Sequence, residues 1–145
     1  MQNLGRGVTS VLNKGLFSAQ ETLAHIEVAL ARNTNLGNEA QRAVRKAMVY
    51  IHEHYMESIS LVSAARHVNM SKEYLARCFR QEMGITFVTY LNRYRINQAK
   101  GLLKTGGLNL TEIALETGFS SSAYFSRVFR QEVGMNPSDY QRSVR

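Results

Sequence analysis

The residues best placed to do chemistry in this sequence are arginines set at a repeated spacing. YLARCFRQEMGITFVTY at 74–90 and YFSRVFRQEVGMNPSDY at 124–140 agree at eight of seventeen positions without a gap. Such agreement lies far above chance identity between unrelated helices and marks an internal repeat. In each copy the apolar residues share one helical face: Leu75, Cys78 and Phe79 in the first, Phe125, Val128 and Phe129 in the second. Opposite them stand Glu73, Ala76, Arg77 and Arg80, and Ser122, Ala123, Ser126, Arg127 and Arg130. A guanidinium on an open helix face can bond a guanine edge with two hydrogen bonds, and small neighbours allow close approach. Serines and threonines at helix starts, beside exposed backbone N–H groups, can also hold phosphate. A surface charge is by default merely solvated. Only the repetition raises the recognition reading above that default.

Other chemistries find no comparable set. No nucleophile–base pair and no phosphate-binding glycine loop occurs, so no enzyme activity and no cofactor is expected. The single cysteine, Cys78, reads as a small core residue, because a reactive thiol needs exposure and a lowered pKa. His52 and His54 stand two apart, which on a helix directs them to different faces, and no carboxylate cluster joins them. A zinc site is not expected. Tyr74, Tyr90, Tyr94, Tyr124 and Tyr140 read as packing residues rather than stacking platforms for bases.

The elements that position the arginines are helices. Val44, Ala47, Met48, Ile51 and Tyr55 form one apolar stripe, running to about Met56. Ser58 to Ser60 can start a second helix with Leu61, Ala64, Ala65 and Val68 apolar. After an Asn69-Met70 turn, Ser71 is the expected N-cap for Lys72 to Met83, with Gly84 as the stop. Thr86 can cap a long segment to Thr105; Phe87, Leu91 and Tyr94 form one stripe on it, Ile96, Ala99 and Leu103 another. As a helix it would be ~30 Å long, close to the ~34 Å between successive major grooves on one face of DNA. Thr111 is expected to start a short helix, and Ser120 or Ser121 the next, ending at Gly134. Asn136 then caps a helix with Pro137 at its first position, where the missing N–H costs nothing. Upstream the repeat continues at a shift of forty-nine, Leu61 with Leu110 and Ala65 with Ala114, so the second unit has one extra residue in or beside its turn.

Composition limits the remaining options. With 44% hydrophobic and 20% charged residues in 145, the chain reads as one ordinary globular domain or two very small ones. No stretch approaches the ~20 apolar residues of a membrane span, and no membrane partner is expected. Met1 to Ser10 lacks a signal-peptide pattern, and one cysteine fits a reducing cytoplasm. Residues 1–40 carry Arg6, Lys14 and Arg32 against Glu21, Glu27 and Glu39, so the net charge of +7 lies wholly in 41–145. A localised basic surplus favours a polyanionic partner through counterion release, though charge alone does not separate DNA from RNA or acidic lipid.

Ile113-Ala-x-x-x-Gly118-Phe119-Ser-x-x-x-Tyr124-Phe125-Ser-Arg127-x-Phe129-Arg130-x-x-x-Gly134-x-x-Pro137-x-x-Tyr140 resembles the signature of AraC/XylS-type transcription regulators. Arg95-x-x-x-Ala99-x-x-Leu102-Leu103 resembles their linker helix, and the likeness extends over about residues 42–142. It implies an all-α fold of about seven helices: two helix-turn-helix subdomains, at about 60–84 and 109–134, bridged by a central helix at about 86–105. It implies double-stranded promoter DNA as partner, RNA polymerase as a second, activation as the commoner outcome, and a cytoplasmic, nucleoid-associated protein. By that resemblance base-reading positions fall at Glu73, Ala76, Arg77, Ser122, Ala123, Ser126 and Arg127, with Ser121 beside them at the helix start. Lys72, Arg80 and Arg130 fall at backbone contacts. The first unit departs from the pattern in its Asn69-Met70 turn, where many members have glycine, and in Ala76.

Two other readings stand beside this one. Alkylation-repair enzymes share the module but place a zinc-held, methyl-accepting cysteine in an N-terminal domain; residues 1–40 contain no cysteine. A non-specific adaptor would bind with strong salt dependence and little sequence discrimination. In residues 1–40, Leu16, Ala19, Leu23, Ile26 and Leu30 predict one amphipathic helix over about 16–32, ahead of a break at Asn33 to Asn38. It is an extension or the remnant of a regulatory domain, and can either mediate a homodimer or pack on the DNA-binding core.

Overall fold

The computed structural model describes residues 38–144. These form seven helices and, among the described residues, no strand: α1 (Asn38–His54), α2 (Leu61–His67), α3 (Lys72–Met83), α4 (Phe87–Thr105), α5 (Leu110–Glu116), α6 (Ser122–Val133) and α7 (Pro137–Ser143). The helix expected at 16–32, and any dimer made through it, lies outside the described residues.

The starts of α2 to α7 share one local device. Ser60, Ser71, Thr86, Asn109, Ser121 and Asn136 each hold extended backbone while the side-chain oxygen accepts the N–H three residues on. Each cap satisfies one of the donors a helix leaves unpaired at its start. Thr111 is not the start of α5. Asn109 caps it and Glu112 reaches back to the Asn109 N–H at 2.9 Å, a reciprocal pair that a lone threonine cannot make. Of the two serines before α6, Ser121 is the cap. Ser120, between the turn residue Phe119 and this cap, is the residue by which the second unit exceeds the first.

The turns inside the two units are the same structure built from different residues. The Met70 N–H reaches the Ala65 carbonyl at 2.9 Å, as the Phe119 N–H reaches that of Ala114. Between helix and turn, Asn69 has φ 61° and Gly118 φ 93°. This is the left-handed helix stop for which glycine is usual and asparagine the best substitute. Asn69 is exposed. At Gly118 the neighbours also matter, for a Cβ there would meet the Tyr55 carbonyl oxygen at 2.1 Å and Arg95 Nε at 2.8 Å.

Each unit has its own core, and α4 belongs to both. Phe87, Tyr90, Leu91 and Tyr94 pack with Val44, Met48 and Ile51 of α1 and Leu75 and Phe79 of α3. Ile96, Ala99 and Leu103 pack with Ile113, Phe119, Phe125 and Phe129. At ~100° per residue these stripes point to roughly opposite sides of one helix. Cys78 is buried in the first core.

His52 of α1 lies against this helix, its ring stacked on Tyr94 at 4.4 Å and Nε2 sharing a hydrogen bond with the Tyr90 hydroxyl at 2.7 Å. Burial lowers its pKa from 6.5 to about 4. The unfolded chain therefore takes up a proton at a pH where the folded chain does not, which favours unfolding. The stability owed to the neutral ring is complete above about pH 6.5 and declines as the pH falls towards about 4. The loss should reach about 2 kcal/mol, allowing for the part of the ring that solvent reaches. Urea unfolding across this range should show that slope in the parent and a much shallower one in His52→Gln. For the turns, Asn69→Ala should cost about 1 kcal/mol, the price of left-handed backbone. Gly118→Ala should cost about 3 kcal/mol, because overpacking against Tyr55 adds to the same strain. Equal losses in urea would mean that the Tyr55 carbonyl simply moves aside.

Candidate nucleic-acid interface

The two copies of the repeat fold alike at the level of single side chains. Residues 71–80 and 121–130 follow one sequence of exposed, half-buried and buried positions. Leu75, Cys78 and Phe79 face one core, Phe125, Val128 and Phe129 the other. What remains is an outer face on each helix. On α3 it presents Lys72, Glu73, Arg77 and Arg80, exposed, with Ala76 half-buried among them. On α6 the same five positions hold Ser122, Ala123, Arg127 and Arg130, exposed, with Ser126 half-buried. Every residue singled out from the sequence thus lies on one of two solvent-facing helix surfaces or, for Ser121, at the start of one.

Ser121 has a structural duty there, since its Oγ accepts the Tyr124 N–H at 3.1 Å, as Ser71 Oγ accepts that of Tyr74. These caps leave the remaining N–H groups of each first turn open to a partner.

The arginines at the middle of each face are supported identically. The Arg77 guanidinium carbon sits 5.4 Å from the Tyr74 ring centroid, and that of Arg127 5.4 Å from the Tyr124 ring centroid. A cation–π contact of about 0.5–1 kcal/mol at an exposed site narrows the conformers of a long side chain without using its N–H donors up. The tyrosines are held in turn. Tyr124 packs edge-on against Phe119 at 5.9 Å, and its hydroxyl accepts from Asn92 Nδ2 of α4 at 3.0 Å.

The linker helix supplies polar contacts that the sequence reading left without partners. Arg93 Nε and Glu132 Oε1 of α6 pair at 2.7 Å, with the side chains only 15% and 20% exposed. Charge-assisted pairs of this kind fix orientation. Arg93 and Glu132 are thirty-nine residues apart, a separation at which no periodic signal exists. Buried Arg95 donates from Nε to the Tyr55 carbonyl at 2.9 Å and from Nη2 to that of Glu57 at 2.8 Å. Among the described residues no group of His, Cys, Asp or Glu could hold a metal ion, and no helix is long and apolar enough to cross a membrane.

Two capped helices, each presenting a polar face behind a short helix and a tight turn, and joined by one shared helix, define a double helix-turn-helix domain. A family model described as a helix-turn-helix domain matches residues 64–143, and the chain belongs to the AraC/XylS family of transcription regulators. It is 32% identical over 143 residues to the arabinose operon regulatory protein of Escherichia coli (strain K12), covering 94% of this chain and 49% of that one. It is 32% identical over 108 residues to the HTH-type transcriptional activator RhaS of Escherichia coli O139:H28, covering 74% of this chain and 38% of that one. The chain thus spans about half, or less, of the curated relatives it matches. Among solved structures, the DNA-binding domain of AdpA, a global transcriptional factor, in complex with a target DNA, superposes with a TM-score of 0.66 at 27% identity. That match covers 69% of this chain and 90% of that one.

The caps permit a stability test independent of any ligand. Ser71→Ala and Ser121→Ala should each lower stability by about 1 kcal/mol. Ser122→Ala, which removes no cap, should change it by less than about 0.5 kcal/mol. Thermal unfolding monitored at the helical signal compares the three directly.

Proposed function

We propose that this chain is a sequence-specific transcription regulator that inserts α3 and α6 into two successive major grooves of a promoter. The observation that carries the reading is the recurrence, on two separate helices, of one outer face with a tyrosine-backed arginine at its centre. Arg77 and Arg127 then read base edges, with Glu73, Ala76, Ser122, Ala123 and Ser126 shaping the fit. Lys72, Arg80, Arg130 and the helix start at Ser121 hold phosphates. The reading module is residues 41–145, and it is assigned no chemical step.

The name of the similar RhaS, a transcriptional activator, supports activation as the outcome. RNA polymerase as the second partner, at a promoter in the cytoplasm, belongs to the same proposal. Homodimer formation is assigned, within this proposal, to residues 16–32. Light scattering of the chain with and without residues 1–39 reports on that assignment.

Selection of bound sequences from a random DNA pool tests the main reading. Two unequal faces should select an asymmetric site of two blocks about one turn apart. Arg127→Ala should weaken binding by about 1–3 kcal/mol and relax preference within one block only. An even loss over all sequences would make Arg127 a phosphate contact. No enrichment over random DNA would end the proposal.

A further inference from the structure

Arg95 is the point at which the two units touch through polar atoms of the linker helix. Its guanidinium donates to the Tyr55 and Glu57 carbonyls, in the segment joining α1 to α2 of the first unit. The same group also meets the second unit. Its carbon lies 5.7 Å from the Phe119 ring centroid, and its nitrogens line the space where a side chain at position 118 would stand. The Tyr55 carbonyl closes that space as well, so the α1–α2 segment and the turn before α6 meet around one planar cation.

The connections run outward from there to both outer faces. Tyr55 packs edge-on against Tyr94 at 5.1 Å, within the core that carries α3. Phe119 packs against Phe125 at 5.2 Å and Tyr124 at 5.9 Å, the first turn of α6. On α4, Arg95 lies on the flank between the stripe that serves the first core and the stripe that serves the second. Apolar packing on these stripes resists separation but is non-directional, and tolerates small rotations of one unit against the other. A buried planar group bonded to two carbonyls and set over a ring is held directionally.

From this we infer that Arg95 is a positioning residue for DNA recognition, fixing the rotation of α6 relative to α3 and hence the spacing between base blocks that the protein accepts. The inference rests on the two-groove reading above. One added base pair turns the second block by ~35° about the DNA axis and shifts it by ~3.4 Å. A rigid pair of reading helices cannot follow that change, whereas a loosened pair can.

The test uses the full chain and duplexes carrying its selected site with the interval between blocks shortened or lengthened by one base pair. Duplexes with only one block intact serve as controls. The parent should lose about tenfold in affinity for either altered interval, within the range expected for one lost base contact. Arg95→Met keeps the apolar stem and removes every donor. It should lose less than about threefold between intervals while binding single-block duplexes as the parent does. Arg95→Lys, which retains the charge but has no planar fork, should fall between them and carries the test if the methionine variant does not fold. A parent-like interval profile in the folded variants would overturn the inference, as would a uniform loss on all duplexes including the single-block ones. A parent with no two-block site would instead overturn the two-groove reading, and this inference with it.

Discussion

One helix here has to complete two hydrophobic cores. Residues of α4 stand in each: beside α1, α2 and α3 in the first core, and beside α5, α6 and Tyr140 of α7 in the second. The helix meets this demand by dividing its apolar residues along its length. Phe87 to Tyr94 serve one side and Ile96 to Leu103 roughly the opposite one. That division gives the two outer faces a common frame, because α3 and α6 are each packed against a core that contains part of the same helix.

The polar groups on α4 add direction to this arrangement. Asn92 holds the Tyr124 hydroxyl, Arg93 pairs with Glu132, and Arg95 binds the carbonyls of Tyr55 and Glu57. All three lie in the middle of the helix, where the first stripe gives way to the second. Burial of Arg95 lowers its pKa, yet a guanidinium so far above neutrality keeps its charge. Two carbonyls and an aromatic face replace the water it has lost. Leaving such a group buried and unpaired would be costly, so its partners are constrained as strictly as it is.

The inequality of the two units follows from their surroundings rather than from their own folds. Their turns have the same hydrogen bonds and the same left-handed residue, but Asn69 is exposed and Gly118 abuts the other unit. A side chain is admissible at the first and not at the second. Their outer faces diverge in the same spirit: the arginines and their tyrosine supports recur, while Lys72, Glu73 and Ala76 stand where Ser122, Ala123 and Ser126 stand. A common frame with different contact residues suits a domain belonging to a family of transcription regulators.

The sequence by itself determined what depends on near neighbours. Helix periodicity, caps such as Ser71, Thr86 and Asn136, and the polar faces of α3 and α6 were all legible, because each rests on residues within a turn or two. The internal repeat and the family signature extended this to the order of the helices. Even at that range Thr111 misled as a helix start, since a capping oxygen and an acid three residues later, Asn109 and Glu112, outrank an isolated threonine. Only the tertiary structure decided why Asn69 can stand where Gly118 cannot be replaced, which acid faces Arg93, and that Arg95 is buried between the units. Those contacts join residues from twenty-three to sixty-three positions apart, and nothing in periodicity or spacing records which groups a folded chain brings face to face.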